Sequence, residues 1–127
     1  MPWPEVVVLM SEPETIVLRY LDHLVNHDWV ALTECLHPDV VRVGPFGDAY
    51  TPRRPYVEFL SSLLPTLVNY DLTIERTVAH QSVVVVQLSE AMEIKGSPDV
   101  TREVLVFDTD RAGLITRIDI FIQRTPA

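Results

Sequence analysis

The sequence has little cysteine, glycine or positive charge. Its single cysteine, Cys35, excludes a disulfide within the chain and a cysteine-based zinc site, and is typical of a reducing cytoplasm. Its four glycines form no phosphate-binding glycine-rich motif. Ten lysines and arginines against eighteen aspartates and glutamates give a formal net charge of −8. Because this charge repels phosphate and anionic lipid, we expect neither nucleic acid nor a membrane as a partner.

The N-terminus lacks an apolar run long enough for a membrane span. The apolar segment Val6–Met10 is too short to cross a bilayer, and it has neither the basic start nor the cleavage site of a signal peptide. At 127 residues, with 47% hydrophobic and 22% charged residues, the chain suits one globular domain. We therefore predict a cytoplasmic protein with a flexible N-terminal arm, residues 1–10, and one domain, residues 11–127.

Three helices are predicted in the first half of the chain. Apolar residues recur at helical spacing from Glu14 to Asn26. Asp28 suits the N-cap of a second, short helix, which includes Leu36 in its apolar stripe and stops at Pro38. A third helix is predicted from Thr51 to Pro65, because proline at position 52 fits a first helical turn.

Strands are predicted to dominate the second half. Segments rich in β-branched residues are separated by short polar turns, at Tyr70–Ala79, Ser82–Ile94, Val100–Asp108 and Leu114–Arg124. A shorter strand, Asp39–Val43, precedes a tight loop, Gly44–Asp48. Helices followed by strands indicate an α+β fold rather than alternating βαβ units. The outer face of the last strand mixes apolar and charged residues, so we expect a homodimer through the open sheet.

The order of short motifs resembles bacterial ketosteroid isomerase and the SnoaL-like proteins of the NTF2-like superfamily. The matching positions are Arg19-Tyr20, Asp28, Asp39, Gly44-Pro45-Phe46-Gly47, Phe107-Asp108 and Gly113. This resemblance covers nearly the whole chain beyond residue 11. It implies a cone in which three N-terminal helices pack on a strongly curved, mostly antiparallel sheet around one apolar pocket.

The resemblance also implies roles for individual residues. Tyr20 falls at the position of the oxyanion-hole tyrosine, and Glu103 falls at that of a protonated aspartic acid that shares its task. The position of the proton-transferring aspartate is Gly44 here. Since glycine cannot accept a proton, the sequence argues against steroid isomerase activity.

A second carboxyl group breaks the apolar row of the long strand. Glu90 lies in the row of alternate residues that includes Val86 and Met92. If Gly96-Ser97 forms a two-residue hairpin turn, Glu90 lies directly opposite Glu103, and one of the two pKa values should rise. A register shifted by one residue would instead place Glu90 opposite Val104, with Arg102 as a salt-bridge partner.

Other candidate residues have two interpretations each. Tyr20 could donate a hydrogen bond to a ligand or simply fill the core. Asp48 could act as a base or bind its own backbone, and Cys35 is expected to be a small buried residue rather than a nucleophile. His23 and His27 have a metal-compatible spacing but no third ligand, so no metal is predicted. Residues expected to contact a ligand are Phe46, Tyr56, Phe59, Met92, Ile118 and Ile120.

These observations favour an enzyme that acts on a small, largely apolar molecule by acid–base chemistry, such as isomerisation, cyclisation or epoxide opening. Tyr20 and Glu103 would donate hydrogen bonds or protons, and Glu90 or Asp48 would be the base. This chemistry requires no cofactor. The alternatives are a non-catalytic ligand-binding module and a dimerisation domain with a filled cone.

Overall fold

The computed structural model describes residues 11–123, so the predicted arm at residues 1–10 lies outside the described part of the chain. Three helices, one short 3₁₀ turn and six strands follow one another. They are α1 Glu12–Val25, α2 Trp29–Glu34, β1 Leu36–Val43, β2 Ala49–Tyr50, α3 Arg53–Leu63, the 3₁₀ turn Leu64–Thr66, β3 Val68–His80, β4 Val83–Ile94, β5 Ser97–Thr109 and β6 Ile115–Gln123.

Side chains cap the first two helices, and the cap of the second, Asp28, is the predicted one. The Ser11 hydroxyl accepts a hydrogen bond from the Glu14 amide at 3.3 Å, and the Asp28 carboxylate accepts one from the Ala31 amide at 3.2 Å. Each side chain satisfies an amide that the first helical turn leaves without a partner. No helix within residues 11–123 combines the length and the apolar character needed to cross a bilayer.

The boundary between α2 and β1 differs from the prediction. Leu36, expected in the helix, begins β1 and pairs with Ile115 on β6. Its carbonyl accepts a hydrogen bond from Arg53, and its side chain is fully buried. Tertiary pairing therefore overrides the helical spacing here. Pro38 lies inside β1 where the register is irregular, a position that tolerates a residue without an amide hydrogen.

The six strands form one sheet in the order β2-β1-β6-β5-β4-β3. All neighbours are antiparallel except β1 and β6, which are parallel. The predicted α+β class and mostly antiparallel sheet are confirmed, while the two-residue strand β2 was not predicted. The helices cover one face of the sheet and bury a core that includes Val17, Leu21, Leu32, Val84, Val86, Phe107 and Ile118.

The hairpin between β4 and β5 has a different register from both predicted ones. Lys95 and Gly96, with φ of 51° and 79°, form the turn, so Ile94 pairs with Ser97. Two consecutive residues with positive φ are the mark of a type I′ turn. Glu90 therefore lies opposite Thr101, and the prediction that it lies opposite Glu103 is wrong. The predicted register is wrong by two residues. Because side chains alternate between faces with a period of two, Glu90 and Glu103 still lie on the same face of the sheet.

The outer face of the sheet carries apolar side chains beside ion pairs. Phe121 is 60% exposed and Val78 is 58% exposed. On the same face, Arg102 pairs with Glu75 at 2.8 Å. The homodimer through this face stays a prediction.

Two glycines with positive φ offer a matched test of backbone strain. A Cβ on Gly96, with φ of 79°, would touch no described residue beyond its chain neighbours, whereas a Cβ on Gly113, with φ of 80°, would lie 2.8 Å from Ile16 Cδ1. We expect Gly96→Ala to lower the free energy of unfolding by about 1–2 kcal/mol. Gly113→Ala should cost more, because Ile16 must also move. Urea unfolding of both variants tests this, and equal losses would show that the Ile16 contact is relieved without cost.

Candidate functional site

A cavity of about 250 Å³ lies between α1, α3 and the inner face of the sheet. This volume equals the liquid volume of about eight water molecules. Apolar side chains form most of its wall, and they include Leu21, Leu24, Leu60, Leu64, Leu72, Leu88, Leu105 and four of the predicted ligand contacts, namely Phe59, Met92, Ile118 and Ile120. Six polar side chains also line it, at Tyr20, Arg42, Tyr56, Tyr70, Glu90 and Glu103.

Two carboxyl groups meet in this cavity. Glu90 on β4 and Glu103 on β5 are diagonal neighbours on the inner face, because Glu90 pairs with Thr101 and Glu103 pairs with Leu88. The Tyr70 hydroxyl on β3 donates a hydrogen bond to Glu90 Oε2. The strands therefore hold a tyrosine and two glutamates in one row.

The environment of Glu103 favours its neutral form. Burial is the largest cause, and a hydrogen bond with Glu90 and the negative charge of Glu90 follow, so that the pKa of Glu103 rises to about 9. The positive charge of Arg42 acts in the opposite direction but does not cancel these effects. Burial and the charge of Glu90 also raise the pKa of Tyr70. At neutral pH Glu103 is thus a carboxylic acid that is hydrogen-bonded to Glu90.

Two tyrosines form a second polar group in the cavity. The hydroxyls of Tyr20 on α1 and Tyr56 on α3 share a hydrogen bond, and the two side chains are 1% and 2% exposed. Burial raises the pKa of Tyr56 to about 12 and raises that of Tyr20 as well. Tyr20 also packs edge-on against Phe107, with ring centroids 5.7 Å apart. Both hydroxyls stay neutral at physiological pH and can act only as hydrogen-bond donors and acceptors.

Asp48 occupies space next to Gly44 without lining the cavity. A Cβ atom on Gly44 would lie 2.7 Å from the Asp48 carboxyl carbon, so glycine leaves room for this carboxylate. Arg42 Nη1 donates to Asp48 Oδ2 at 2.9 Å, and the Phe46 amide donates to Oδ1 at 3.4 Å. Burial works to raise the pKa of Asp48, but hydrogen bonds from the backbone and Arg42 hold it below its ordinary value. Asp48 is therefore the anchor of Arg42 and is poorly placed for the predicted role of base.

The remaining predicted candidates lie away from the cavity. Phe46 is 70% exposed in its loop and is not among the cavity-lining residues. His27 stacks on Trp29 with ring centroids 5.5 Å apart. Within residues 11–123, no three His, Cys, Asp or Glu side chains form a group that could hold a metal ion. The Cys35 thiol is half-buried, and burial raises its pKa, which disfavours the reactive thiolate.

Two polar residues of the cavity, Arg42 and Tyr70, were not predicted from the sequence. Arg42 interrupts the apolar run of β1, in which Val40, Val41 and Val43 surround it. The same reasoning that selected Glu90 in β4 could have selected Arg42. Tyr70 gave a weaker signal, since an aromatic residue is common in any strand.

The sequence matches the profile of the SnoaL-like domain family over residues 17–118. Among curated proteins, none matches this chain.

Solved structures of several proteins are similar to this chain. A protein from Shewanella denitrificans, assigned as a SnoaL-like polyketide cyclase, superposes with a TM-score of 0.81 at 17% identity, covering 90% of this chain and 92% of the other. An LEH-like epoxide hydrolase from Mycobacterium tuberculosis gives 0.78 at 21% identity, with 89% and 84% covered. A protein from Kribbella flavida, assigned as a ketosteroid isomerase, gives 0.76 at 20% identity, with 92% and 82% covered. At these identities the similarity shows the fold, and the predicted NTF2-like cone is confirmed.

Proposed function

Since this chain belongs to the SnoaL-like domain family, we propose that it is an acid–base enzyme for a small, largely apolar substrate. Glu103 is the acid, Glu90 is the base, and Tyr70 orients Glu90. The reaction is an isomerisation, a cyclisation or an epoxide opening. The proteins of similar structure include a cyclase, an epoxide hydrolase and an isomerase by their names, which is consistent with this range.

The observation that carries the proposal is the carboxyl pair in an apolar cavity. A pair of titratable groups whose surroundings separate their protonation states is the usual arrangement of an enzymatic acid and base. A structural role alone would favour leucine or methionine at these positions, because burying two carboxyl groups opposes folding.

Glu90 and Glu103 together return to their starting protonation states after each reaction. In an isomerisation, Glu90 accepts a proton from the carbon next to a carbonyl group, while Glu103 donates to the carbonyl oxygen. In an epoxide opening, Glu90 accepts a proton from the attacking water while Glu103 protonates the epoxide oxygen. After the epoxide opening, Glu90 is neutral and Glu103 charged, and one proton transfer along their hydrogen bond restores the starting state. In the isomerisation, Glu90 instead gives its proton to the γ-carbon of the dienol, and Glu103 takes back the proton of the dienol oxygen. The conjugated ketone then forms and both residues return to their starting states.

The cavity volume limits the substrate. Pockets for drug-sized ligands span roughly 300–1,000 Å³, and this one has about 250 Å³. We therefore propose a substrate with one ring or a short branched chain.

Turnover of two small substrates tests the proposal. Cyclohex-3-enone reports isomerisation by the absorbance of its conjugated product, and cyclohexene oxide reports hydrolysis by formation of the diol. We expect turnover of at least one, and a loss of roughly 100-fold or more in kcat/KM in Glu90→Gln. Glu93→Gln is the matched control, because Glu93 lies on the same strand but on the outer face.

Unchanged turnover in Glu90→Gln would remove the proposed base. Binding of both compounds without turnover would instead support the second candidate function, a ligand-binding module. Gly44 favours that alternative, because the position that carries the base in ketosteroid isomerase has no carboxylate here.

A further inference from the structure

Arg42 brings a positive charge to the wall of the cavity. It lies on β1 between Tyr50 on β2 and Ile118 on β6, and its side chain is 12% exposed. Among the cavity-lining residues of the described chain, it is the only one with a positive charge. An isolated cation in such a position opposes folding unless an anion or a hydrogen-bond acceptor compensates it.

The compensation that the protein supplies is incomplete. Asp48 accepts a hydrogen bond from Arg42 Nη1. The Nε atom is buried and has no hydrogen-bond partner within residues 11–123. Asp48 therefore binds Arg42 through Nη1 and not through the guanidinium edge that Nε and Nη2 form.

The same edge binds carboxylates at two other arginines of this chain. Arg102 donates from Nε at 3.3 Å and from Nη2 at 2.8 Å to Glu75. Arg117 donates from Nε at 2.8 Å and from Nη2 at 3.0 Å to Asp119. Both pairs are on the exposed outer face, whereas Arg42 lines the cavity with its Nε atom buried, so that a ligand reaches this edge only when a side chain of the cavity wall moves. A carboxylate is the partner whose two oxygens match this pair of donors.

Three contacts fix the orientation of Arg42. Its guanidinium carbon lies 5.6 Å from the Tyr50 ring centroid and 5.4 Å from that of Phe59, and Asp48 holds Nη1. Asp48 itself fits because residue 44 has no side chain. The cation is thus preorganised and loses little conformational entropy when a ligand binds.

We propose that Arg42 binds a carboxylate of the ligand, so that the protein accepts a small, largely apolar carboxylic acid in its anionic form. The ligand carboxylate occupies the Nε and Nη2 edge, and its hydrocarbon part packs against the leucines of the cavity. This inference specifies the substrate class of the proposed function. It rests on the proposed function only because the ligand binds in the same cavity.

The charges in the cavity are compatible with such a ligand. Glu103 holds a proton at neutral pH, so it adds no negative charge to the cavity wall. The positive field of Arg42 reaches this side chain and both buried tyrosines, since it lowers the pKa of Glu103, Tyr20 and Tyr56 relative to burial alone.

Binding of two isosteric probes tests the inference independently of catalysis. Cyclohexanecarboxylate carries the proposed group, and cyclohexanecarboxamide is its neutral counterpart. Calorimetry at neutral pH should show tighter binding of the carboxylate. Arg42→Met should weaken carboxylate binding by roughly 10–100-fold and leave amide binding nearly unchanged. Gly44→Ala, which displaces Asp48 without adding an atom to the cavity wall, should weaken carboxylate binding less.

Each other outcome overturns the inference. Equal affinity for the two probes, or no carboxylate binding up to about 10 mM, would leave a water molecule as the partner of Nε. Loss of both probes in Arg42→Met would show a general effect on the cavity, and Arg42→Lys then decides. Lysine retains the charge but not the two-donor edge, so carboxylate binding as tight as in the unmodified protein would exclude that edge as the binding group. Failure of the proposed function appears separately, as carboxylate binding together with no turnover of cyclohex-3-enone or cyclohexene oxide.

Discussion

Glu103→Gln is expected to raise the free energy of unfolding by about 2–3 kcal/mol at about pH 8 and to change it little at about pH 4. The pKa of Glu103 is raised from 4.5 to about 9 in the folded protein, chiefly by burial. Between these values the folded state holds a proton that the unfolded state has released. Glutamine is neutral in both states, so it removes this penalty.

The direction of this pH dependence follows from the number of protons that the folded and unfolded states bind. Below about pH 4.5 both states of the protein carry a protonated Glu103, and this residue contributes no pH dependence. As the pH rises towards 9, the unfolded state binds fewer protons than the folded state, so the stability of the unmodified protein falls. One proton corresponds to at most about 1.4 kcal/mol per pH unit. The expected gain is smaller than the full integral because Glu103 is partly exposed and solvent screens its charge.

Urea unfolding of both proteins across this pH range measures the effect. Glu58→Gln is a suitable control, because Glu58 is exposed and forms only a surface ion pair with Arg54. Its stability should change by no more than about 0.5 kcal/mol. A difference between Glu103→Gln and the unmodified protein that is the same at both ends of the pH range would contradict the raised pKa.

The sequence was sufficient to place Glu90 in an apolar row but left open whether Glu103 shares its face. Side-chain alternation placed Glu90 in an apolar row, and that pattern depends only on the strand. The pairing depends on which two residues form the turn, and Lys95-Gly96 and Gly96-Ser97 both contain glycine. The structure uses the first, although lysine seldom adopts positive φ. Because the two registers differ by two residues, the carboxyl groups became diagonal neighbours without leaving the cavity.

The polar contacts within the cavity could not be predicted from local pattern. Tyr70 reaches Glu90 across the β3–β4 pair, and Tyr56 reaches Tyr20 from another helix. Both contacts depend on the packing of elements that are distant in sequence. Arg42 is a different case, since a lone charge in an apolar strand is a signal that the sequence itself contains. In this chain, charged residues within apolar strands therefore indicate the candidate site better than Gly44, the position at which ketosteroid isomerase carries its base.

The second large effect concerns catalysis by the same side chain. For the substrate that the protein turns over, we expect Glu103→Gln to lower kcat/KM by roughly 100-fold or more, because the glutamine amide can donate a hydrogen bond but cannot transfer a proton. In the unmodified protein, kcat/KM should fall as the pH rises through about 9, where Glu103 loses its proton. This alkaline decline should be absent from the residual activity of Glu103→Gln. Steady-state rates between about pH 6 and pH 10 measure both features.

The two Glu103→Gln results test one idea from opposite directions. A carboxyl group kept neutral by an apolar cavity destabilises the fold at neutral pH, and such a cost is expected where function requires it. A variant that is more stable and also inactive would therefore identify Glu103 as the acid. A variant that is more stable but fully active would keep the raised pKa and exclude the catalytic role. The proton for the substrate oxygen would then have to come from another donor in the cavity, and Tyr70, which already bonds to Glu90, would be the first to replace with phenylalanine.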